Sequence, residues 1–372
     1  MEIGGFFPYQ PVGSEPNNYV EHTCPDPGDT AHLMSGRCAI YYCLRDLMLT
    51  DQKRVAYLPS YDCETVLGCF VKAGYEIHYY DFDKNLSPVF EEEMIPQISV
   101  LLVCGYYGYP TYDENFVKKC KASGVSVIVD TTHTAFSPLP ACPDSDYIAV
   151  SLRKWMGVAS GGLAIKLKPI PINKEQFSLR DQALQSRETY EHTGNEDYNK
   201  EGNDVFWKAE FMLREIFDIQ EGDEASLKTI LHYPFRDAIR KRQENYHYLL
   251  EHLPERSDIR PVFPYLPDDI CPMFFPFFVE NRDALIKHLA DRHIPPKVYW
   301  PVPPFVKVED YPGAQYIYSH NSKIENFILR NVCIEGNKAG KIIWAKEWKL
   351  DDVQIKAHDE LILEYNENVD MP

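Results

Sequence analysis

The stretch Val125–Lys166, VSVIVDTTHTAFSPLPACPDSDYIAVSLRKWMGVASGGLAIK, predicts an α/β fold with a ligand site at the edge of its sheet. It contains two apolar runs with the pattern of buried strands, VSVIV and YIAV, and each run is followed by polar residues. The first leads to Asp130 and His133, and the second leads to Ser151, Arg153 and Lys154. Ligands of α/β proteins bind beyond the carboxyl ends of parallel strands, so we expect these side chains to face one crevice.

Strand-like and helical segments alternate through the first half of the chain, in keeping with this interpretation. The predicted strands are Val55–Pro59, Glu76–Asp83 and Ser99–Cys104, and an amphipathic helix is predicted over Asp113–Ala122. Crossover connections between successive strands imply parallel pairing. We therefore expect a mainly parallel sheet with helices on both faces.

The second half of the chain has a different character. Residues 178–205 are polar and charged, which is typical of a solvated loop or of an arm that reaches a partner subunit. After a predicted helix over 234–251, a smaller α+β domain is indicated by strand-like segments at 258–263, 272–279 and 297–300 and a helix at 282–292. We expect a large domain over residues 1–245, beginning with an extended arm, and a small domain over residues 246–372.

Composition excludes several classes of protein. A length of 372 residues with 44% hydrophobic content allows large cores, and a net charge of −18 argues against general binding to nucleic acid. No stretch approaches the roughly 20 apolar residues that span a bilayer, and the N-terminus lacks the pattern of a signal peptide. The ten cysteines include no CxxC pair, so reduced thiols and a cytoplasmic location are expected.

A third candidate element lies upstream, where Ser35, Gly36 and Arg37 open an apolar helical run. Ser35 is a suitable helix N-cap, and the free N–H groups of such a helix end can bind a phosphate. The alternative is a cap without a ligand. Tyr61 and Cys63 follow the first strand, where a tyrosine ring could stack on a flat ligand or pack beneath the loop.

The combination of a carboxylate and a lysine at neighbouring strand ends suggests a specific chemistry. Lys154 could trap a carbonyl group as a Schiff base, and Asp130 could hold a proton on a heterocyclic nitrogen. Pyridoxal phosphate requires both functions, and His133 could lie over its ring or reach its phenolic oxygen. Alternatively, Asp130 caps a turn, Lys154 is a surface cation and His133 belongs to the core. The ordered pattern, which also includes Gly161 and Gly162, favours the cofactor.

The blocks SGRCAIYYCL, LPSYDCETVLGCFVKAGYEIHYYDFD, VIVDTTHTAFS and SLRKWMGVASGGLAI resemble, in this order, the motifs of fold type I pyridoxal-phosphate enzymes. The chain is most similar to the DegT/DnrJ/EryC1/StrS group of sugar aminotransferases, over about residues 30–170 and again at KVYWPVP. This resemblance implies an aspartate-aminotransferase-like fold, with a mainly parallel large domain and a smaller α+β domain.

The resemblance also implies roles for individual residues. Lys154 corresponds to the Schiff-base lysine, Asp130 to the partner of the pyridine nitrogen and His133 to the residue near the phenolic oxygen. Ser151 and the Ser35–Arg37 turn correspond to phosphate ligands. The chain departs from the pattern in two places: Lys154 follows its serine by three residues instead of five, and Cys63 stands where many relatives have a stacking aromatic residue, so Tyr61 or another ring could replace it.

The expected function is a pyridoxal-phosphate-dependent aminotransferase, acting as a homodimer with active sites at the interface. An amino acid such as glutamate would donate the amino group to a keto sugar, for which a nucleotide-linked sugar is one candidate, with Tyr106, Arg153 and Tyr299 as candidate substrate contacts. A lyase of desulfurase or decarboxylase type is an alternative, although no cysteine is placed as a desulfurase requires. A non-catalytic binding protein with the same fold is the other alternative.

Overall fold

The computed structural model describes most of the chain. The described residues are 7–19, 30–137, 145–165, 174–216, 218–253, 256–291, 298 and 300–324, together with four short strands at 333–335, 341–343, 354–356 and 362–364.

An eight-stranded sheet forms the centre of the molecule, in the order β1-β8-β7-β6-β5-β2-β3-β4. The five strands from β7 to β3 are parallel, whereas β1, β8 and β4 pair antiparallel. The strands are β1 (Thr30–Leu33), β2 (Val55–Pro59), β3 (Glu76–Phe82), β4 (Pro88–Val89), β5 (Val100–Cys104), β6 (Ser126–Asp130), β7 (Tyr147–Ser151) and β8 (Gly162–Ile165). The predicted mainly parallel sheet is thus confirmed.

Helices cover both faces of this sheet. They are α1 (Gly36–Leu47), α2 (Glu64–Lys72) and α3 (Glu114–Ala122), and each begins near the place that the sequence indicates. Ser35 caps α1 by accepting from the Cys38 N–H, and Asp113 caps α3 by accepting from the N–H groups of Asn115 and Phe116. Such caps satisfy N–H groups that the helix itself leaves unpaired.

The core has one apolar layer on each face of the sheet. Helices α1 and α2 pack on one face with residues such as Leu102 and Ile128, and α3 packs on the other with Leu101 and Val103. All five residues of β5 are buried, as expected for a strand covered on both sides.

Residues 178–205 lie in a helical hairpin, which the sequence did not indicate. Helix α4 (Lys174–Thr193) and helix α5 (Glu196–Ile216) pack along each other. The face that α4 buries includes Arg180, Ala183 and Arg187. The same face also buries Leu184, Ser186 and Tyr190, and because two arginines and a serine interrupt it, the helical period is not visible as an apolar pattern.

Helices α6 (Glu224–Leu231) and α7 (Phe235–His252) lead to a smaller antiparallel sheet with the order β11-β10-β9. Its elements are β9 (Ile259–Pro261), β10 (Phe275–Val279), α8 (Arg282–Ala290), α9 (Pro312–His320) and β11 (Asn321–Ile324). Phe278 and Ile317 pack into the same apolar layer as α3, which joins this unit to the large sheet. The predicted boundary between residues 245 and 246 falls inside α7.

Two features of the remaining chain bear on the predictions. Val298 and Trp300 are not in a strand, and the rest of the predicted strand at 297–300, including Tyr299, lies outside the described residues. The short strands β12 (Cys333–Glu335) and β14 (Gln354–Lys356) pair in parallel, as do β13 (Lys341–Ile343) and β15 (Ile362–Glu364). Among the described residues, no helix is long and apolar enough to cross a membrane.

Candidate active site

A cavity of about 360 Å³ opens at the carboxyl ends of β5, β6 and β7, beside the first residues of α1. Most of the residues predicted for the site line it: Ser35, Gly36, Arg37, Cys63, Asp130, His133, Ser151, Arg153 and Lys154. The volume suits a small organic ligand. The position agrees with the rule that α/β sheets bind ligands beyond their carboxyl edge.

Asp130 is the last residue of β6 and is buried at the cavity wall. Its Oδ1 accepts a 2.8 Å hydrogen bond from the Thr132 N–H. Burial raises the pKa of the Asp130 carboxyl, while the hydrogen bonds from Thr132 and the charge of Lys154 lower it. A positively charged partner therefore stabilises the ionised form of Asp130.

Thr132 connects the two strand ends, a role that the sequence did not reveal. Its Oγ1 accepts a 3.0 Å hydrogen bond from the Ser151 N–H, and its carbonyl oxygen accepts one of 2.7 Å from Nε1 of Trp155. Asp130 and the turn that carries Lys154 are thus fixed relative to each other by one residue.

Lys154 ends a short 3₁₀ turn, Leu152–Lys154, that follows β7 directly. Trp155, the next residue, is fully buried, and its hydrogen bond to the Thr132 carbonyl oxygen holds the end of the turn in place. The positive charge of Lys154 lowers the pKa of both Asp62 and Asp130, so the amine acts on two carboxyls of the cavity. Lys154, Asp130 and Asp62 thus line one cavity, and the first two are residues that the sequence predicts for the site.

The beginning of α1 is packed directly against the end of β7. A Cβ atom placed on Gly36 would lie 2.8 Å from Cβ of Ser151, closer than such atoms normally approach. Glycine is therefore the residue that lets the first turn of α1 and Ser151 border one space. Ser35, Gly36, Arg37 and Ser151 line this space together, and we call them the cradle. A helix N-terminus in such a position favours an anion such as phosphate.

Asp62 is a second buried carboxyl in the cavity wall, and the sequence did not single it out. It is 3% exposed; its Oδ1 accepts from the Cys63 N–H at 2.6 Å, and its Oδ2 has no hydrogen-bond partner in the part of the chain that the structure describes. Burial and then the charge of Asp130 raise its pKa well above the usual range. An unpaired buried carboxyl oxygen of this kind is available to hydrogen-bond with a bound molecule.

His133 lies between two aromatic rings. Its ring is nearly parallel to Trp300 at 5.3 Å and inclined by 26° to Tyr107 at 5.6 Å, measured between ring centroids. Trp300 itself lines the cavity and has a φ of 62°, a left-handed conformation that is uncommon for a large residue. Trp300 is therefore an aromatic ring at the cavity that comes from the second half of the chain.

The tyrosines predicted from the sequence occupy other positions. Tyr61 and Tyr106 are fully buried behind the cavity wall, where Tyr61 Oη is 2.9 Å from Tyr107 Oη and Tyr106 Oη donates to the Tyr61 carbonyl. Cys63 does line the cavity, with its Sγ 3.1 Å from Thr65 Oγ1. Tyr299 lies outside the described residues. Trp300 is thus one of several rings that line the cavity and are available to a ligand, whereas Tyr61 packs in the core.

A cluster of three arginines and one glutamate lines another part of the cavity. Glu210 of α5 pairs with Arg37 at 2.7 Å, with Arg180 at 3.1 Å and with Arg153. Sequence analysis did not identify Arg180 and Glu210 as residues of the site, because they lie in the hairpin, far along the chain from Arg37 and Arg153. We call these four residues the arginine cluster.

The charges of the arginine cluster do not cancel. Burial tends to raise the pKa of Glu210, but Arg153, Arg37 and Arg180 together lower it, so the carboxylate is ionised. Burial, followed by repulsion from Arg153, lowers the pKa of Arg180 to about 9, which still leaves it protonated at neutral pH. Three cations thus share one anion.

No family model matches the chain, and no curated protein matches it in sequence. Solved structures do match its fold, which is that of fold type I pyridoxal-phosphate aminotransferases, as expected.

The aminotransferase TlmJ from Streptoalloteichus hindustanus is similar at 15% identity, with 87% of this chain and 93% of that chain covered and a TM-score of 0.60. PseC of Helicobacter pylori, an aminotransferase involved in the biosynthesis of pseudoaminic acid, matches at 12% identity over 87% and 94%, with a TM-score of 0.58. The PLP-form of Spr1654 from Streptococcus pneumoniae, titled a putative sugar aminotransferase, matches at 13% identity over 88% and 94%, also at 0.58. At these identities the likeness establishes the fold.

Proposed function

We propose that this chain is a pyridoxal-phosphate-dependent aminotransferase that transfers an amino group from an amino acid such as glutamate to a keto sugar, with a nucleotide-linked sugar as the expected acceptor. The observation that carries the proposal is that Lys154, Asp130 and the cradle at Gly36 and Ser151 border one cavity. Structures titled sugar aminotransferases, one of them in a PLP-form, share the fold and add support.

The residues present fit this cofactor. Its phosphate would lie in the cradle formed by the first turn of α1, Ser35 and Ser151, where Gly36 keeps the space open. Its ring nitrogen would meet the buried carboxyl of Asp130, and Lys154 would bond to its aldehyde carbon. Pyridoxal phosphate, when bound, supplies an electron sink for the carbon that carries the amino group.

The protein's own groups would perform the remaining steps. Asp130, ionised by its positive partner, would hold a proton on the ring nitrogen. Lys154, once displaced by the amino donor, would move a proton between the substrate carbon and the cofactor carbon as a general base. His133, held between Tyr107 and Trp300, would orient the phenolic edge of the ring.

A homodimer in the cytoplasm is the second part of the proposal. Trp207 and Phe211, four residues apart on α5, are 50% and 56% exposed, and Trp207 also lines the cavity. A pair of large apolar residues that continues from the cavity onto the surface suits a second copy of the chain that helps to enclose the site. Cysteines within apolar runs favour a reducing compartment.

The test has two steps, an absorbance measurement of the bound cofactor and then identification of the product. Purified protein loaded with pyridoxal phosphate should show an absorbance band that shifts when glutamate is added and returns when a keto-sugar nucleotide is supplied, with the amino sugar detected by mass spectrometry. An absorbance band that does not shift with any amino acid would favour a non-catalytic binding protein. Release of sulfide or carbon dioxide without transfer of the amino group would favour a lyase.

A further inference from the structure

The arginine cluster has more positive charge than its own contacts use. Arg37, Arg153 and Arg180 face a single carboxylate, that of Glu210, which leaves a surplus of two positive charges. All four residues line the cavity. Uncompensated charge at a buried position is costly unless a ligand completes the pairing.

The hydrogen-bonding groups of the cluster are also incomplete. Within the part of the chain that the structure describes, Nη1 of Arg37, Nε of Arg153 and Nε of Arg180 are buried donors without an acceptor. Arg180 is 3% exposed, so water does not readily replace the missing acceptors. Guanidinium groups present donors in a planar fork that matches the oxygens of phosphate or carboxylate groups.

The four residues come from separate elements. Arg37 belongs to the first turn of α1, Arg153 to the turn after β7, and Arg180 and Glu210 to the two helices of the hairpin. Glu210 therefore acts as an internal counter-ion that holds three repelling cations together before a ligand arrives. Its carboxylate satisfies one donor of each arginine and leaves the others for a second anion.

We infer that Arg37, Arg153 and Arg180, held by Glu210, form a binding site for a phosphate dianion. A dianion matches the surplus of two charges, and its several oxygens match the unpaired donors. The inference rests on the proposed function for its ligand, since the phosphate belongs either to the cofactor or to a nucleotide-linked substrate. Both ligands present the same chemistry to the cluster.

The experiment compares Arg180→Gln with a matched control on the same helix. Arg187 of α4 is also buried and pairs with Glu191 at 3.4 Å, but it does not line the cavity, so Arg187→Gln controls for the loss of a buried arginine. Binding of inorganic phosphate to the full-length, cofactor-free protein is measured by calorimetry. We expect Arg180→Gln to weaken binding by about 10- to 100-fold and Arg187→Gln to leave it unchanged.

Two further arms identify the source of the phosphate. If the cluster holds the cofactor, Arg180→Gln weakens binding of pyridoxal phosphate but not of pyridoxal. If it holds the substrate, the same variant leaves pyridoxal phosphate affinity intact and weakens binding of uridine diphosphate to the loaded protein. Either result supports a phosphate site.

A second variant keeps the test decisive if Arg180→Gln does not fold. Arg153→Gln removes another cation of the site while Glu210 still pairs with Arg37 and Arg180, so it should weaken the binding of inorganic phosphate by about 10- to 100-fold. Unchanged binding would count against the inference. Wild-type protein that shows no saturable phosphate binding, or an Arg180→Gln variant with unchanged affinity for inorganic phosphate, overturns it. These outcomes are independent of Lys154, whose failure to bond pyridoxal phosphate would instead overturn the proposed function.

Discussion

Gly36 and Ser151 face each other so closely that a Cβ on Gly36 would stand 2.8 Å from the Cβ of Ser151. The two residues are distant in the sequence, one at the start of a helix and the other at the end of a strand. Their contact brings the cradle at the first turn of α1 next to the turn that carries Lys154. The geometry of the site depends on this glycine.

Gly36→Ala should therefore impair the site more than it impairs the fold. The added methyl group must push α1 and Ser151 apart, at a cost of about 1–3 kcal/mol in the free energy of unfolding, and cofactor affinity should fall with it. Gly68→Ala is the control, because a Cβ there meets nothing within 4 Å, and alanine in mid-helix should stabilise by about 0.5–1 kcal/mol. Denaturant unfolding and cofactor titration check both variants, and a Gly36→Ala variant that binds cofactor normally would contradict the assignment of the cradle.

Lys154→Ala should abolish the covalent bond to pyridoxal phosphate. We expect the absorbance band of the covalently bound cofactor and the borohydride-reducible adduct to disappear. Turnover should fall by about 100-fold or more, because the general base is lost with the amine. Mass spectrometry of the reduced protein locates the adduct. Lys118→Ala, at an exposed position on α3, serves as the control and should keep the adduct. An adduct that persists in Lys154→Ala would refute the central assignment.

Asp62→Asn should alter how the stability of the cofactor-free protein depends on pH. The folded-state pKa of Asp62 is raised by burial and by Asp130, so the folded protein holds this proton more tightly than the unfolded chain does. The stability that this proton provides is full below the unfolded pKa of about 3.9 and is lost as the pH rises through the folded pKa.

The wild type should consequently lose stability relative to Asp62→Asn as the pH rises from about 4, by about 1–3 kcal/mol in total. Thermal unfolding of both proteins across this range measures the difference. Glu93→Gln, at an exposed position, should follow the wild type. Parallel curves for the wild type and Asp62→Asn would show that Asp62 ionises without hindrance.

Phe211→Glu should convert the proposed dimer into a monomer. Phe211 is 56% exposed on α5, and a carboxylate at this position would have to be desolvated in an interface. Sedimentation velocity measures the change, with Val89→Glu as the control because Val89 is similarly exposed on the edge strand β4. A wild-type protein that is monomeric and fully active would remove the homodimer from the proposal.

The sequence predicts the five parallel strands of the large sheet, each of which is an apolar run followed by polar or turn residues, but it does not predict the short antiparallel strands β1, β4 and β8. Val55–Pro59 is predicted and observed with identical limits, and Ser99–Cys104 differs from β5 by one residue. Asp130, Ser151 and Lys154 lie at the ends of such strands, so the parallel topology alone is enough to expect them in one crevice.

Other features could not be predicted for physical reasons. Arg180 lies on α4, whose buried face is partly charged, so hydrophobic periodicity gives no sign of that residue, and Glu210 is a polar residue of α5 to which such periodicity assigns no role. Their partners are distant in sequence, and a buried ion pair leaves no local pattern. The position of Trp300 at the cavity is also not predictable from local sequence, because its stacking on His133 depends on how the smaller unit packs on the sheet.

The walls of the cavity come from different parts of the chain. Asp62, Asp130, Ser151 and Lys154 belong to the sheet and its first connections, whereas Trp207, Met273, Phe274 and Trp300 belong to later segments. Substitutions in the later segments can therefore alter which molecules enter while the reacting groups keep their geometry. The chain is in this sense a scaffold in which selectivity can be redesigned separately from the chemistry.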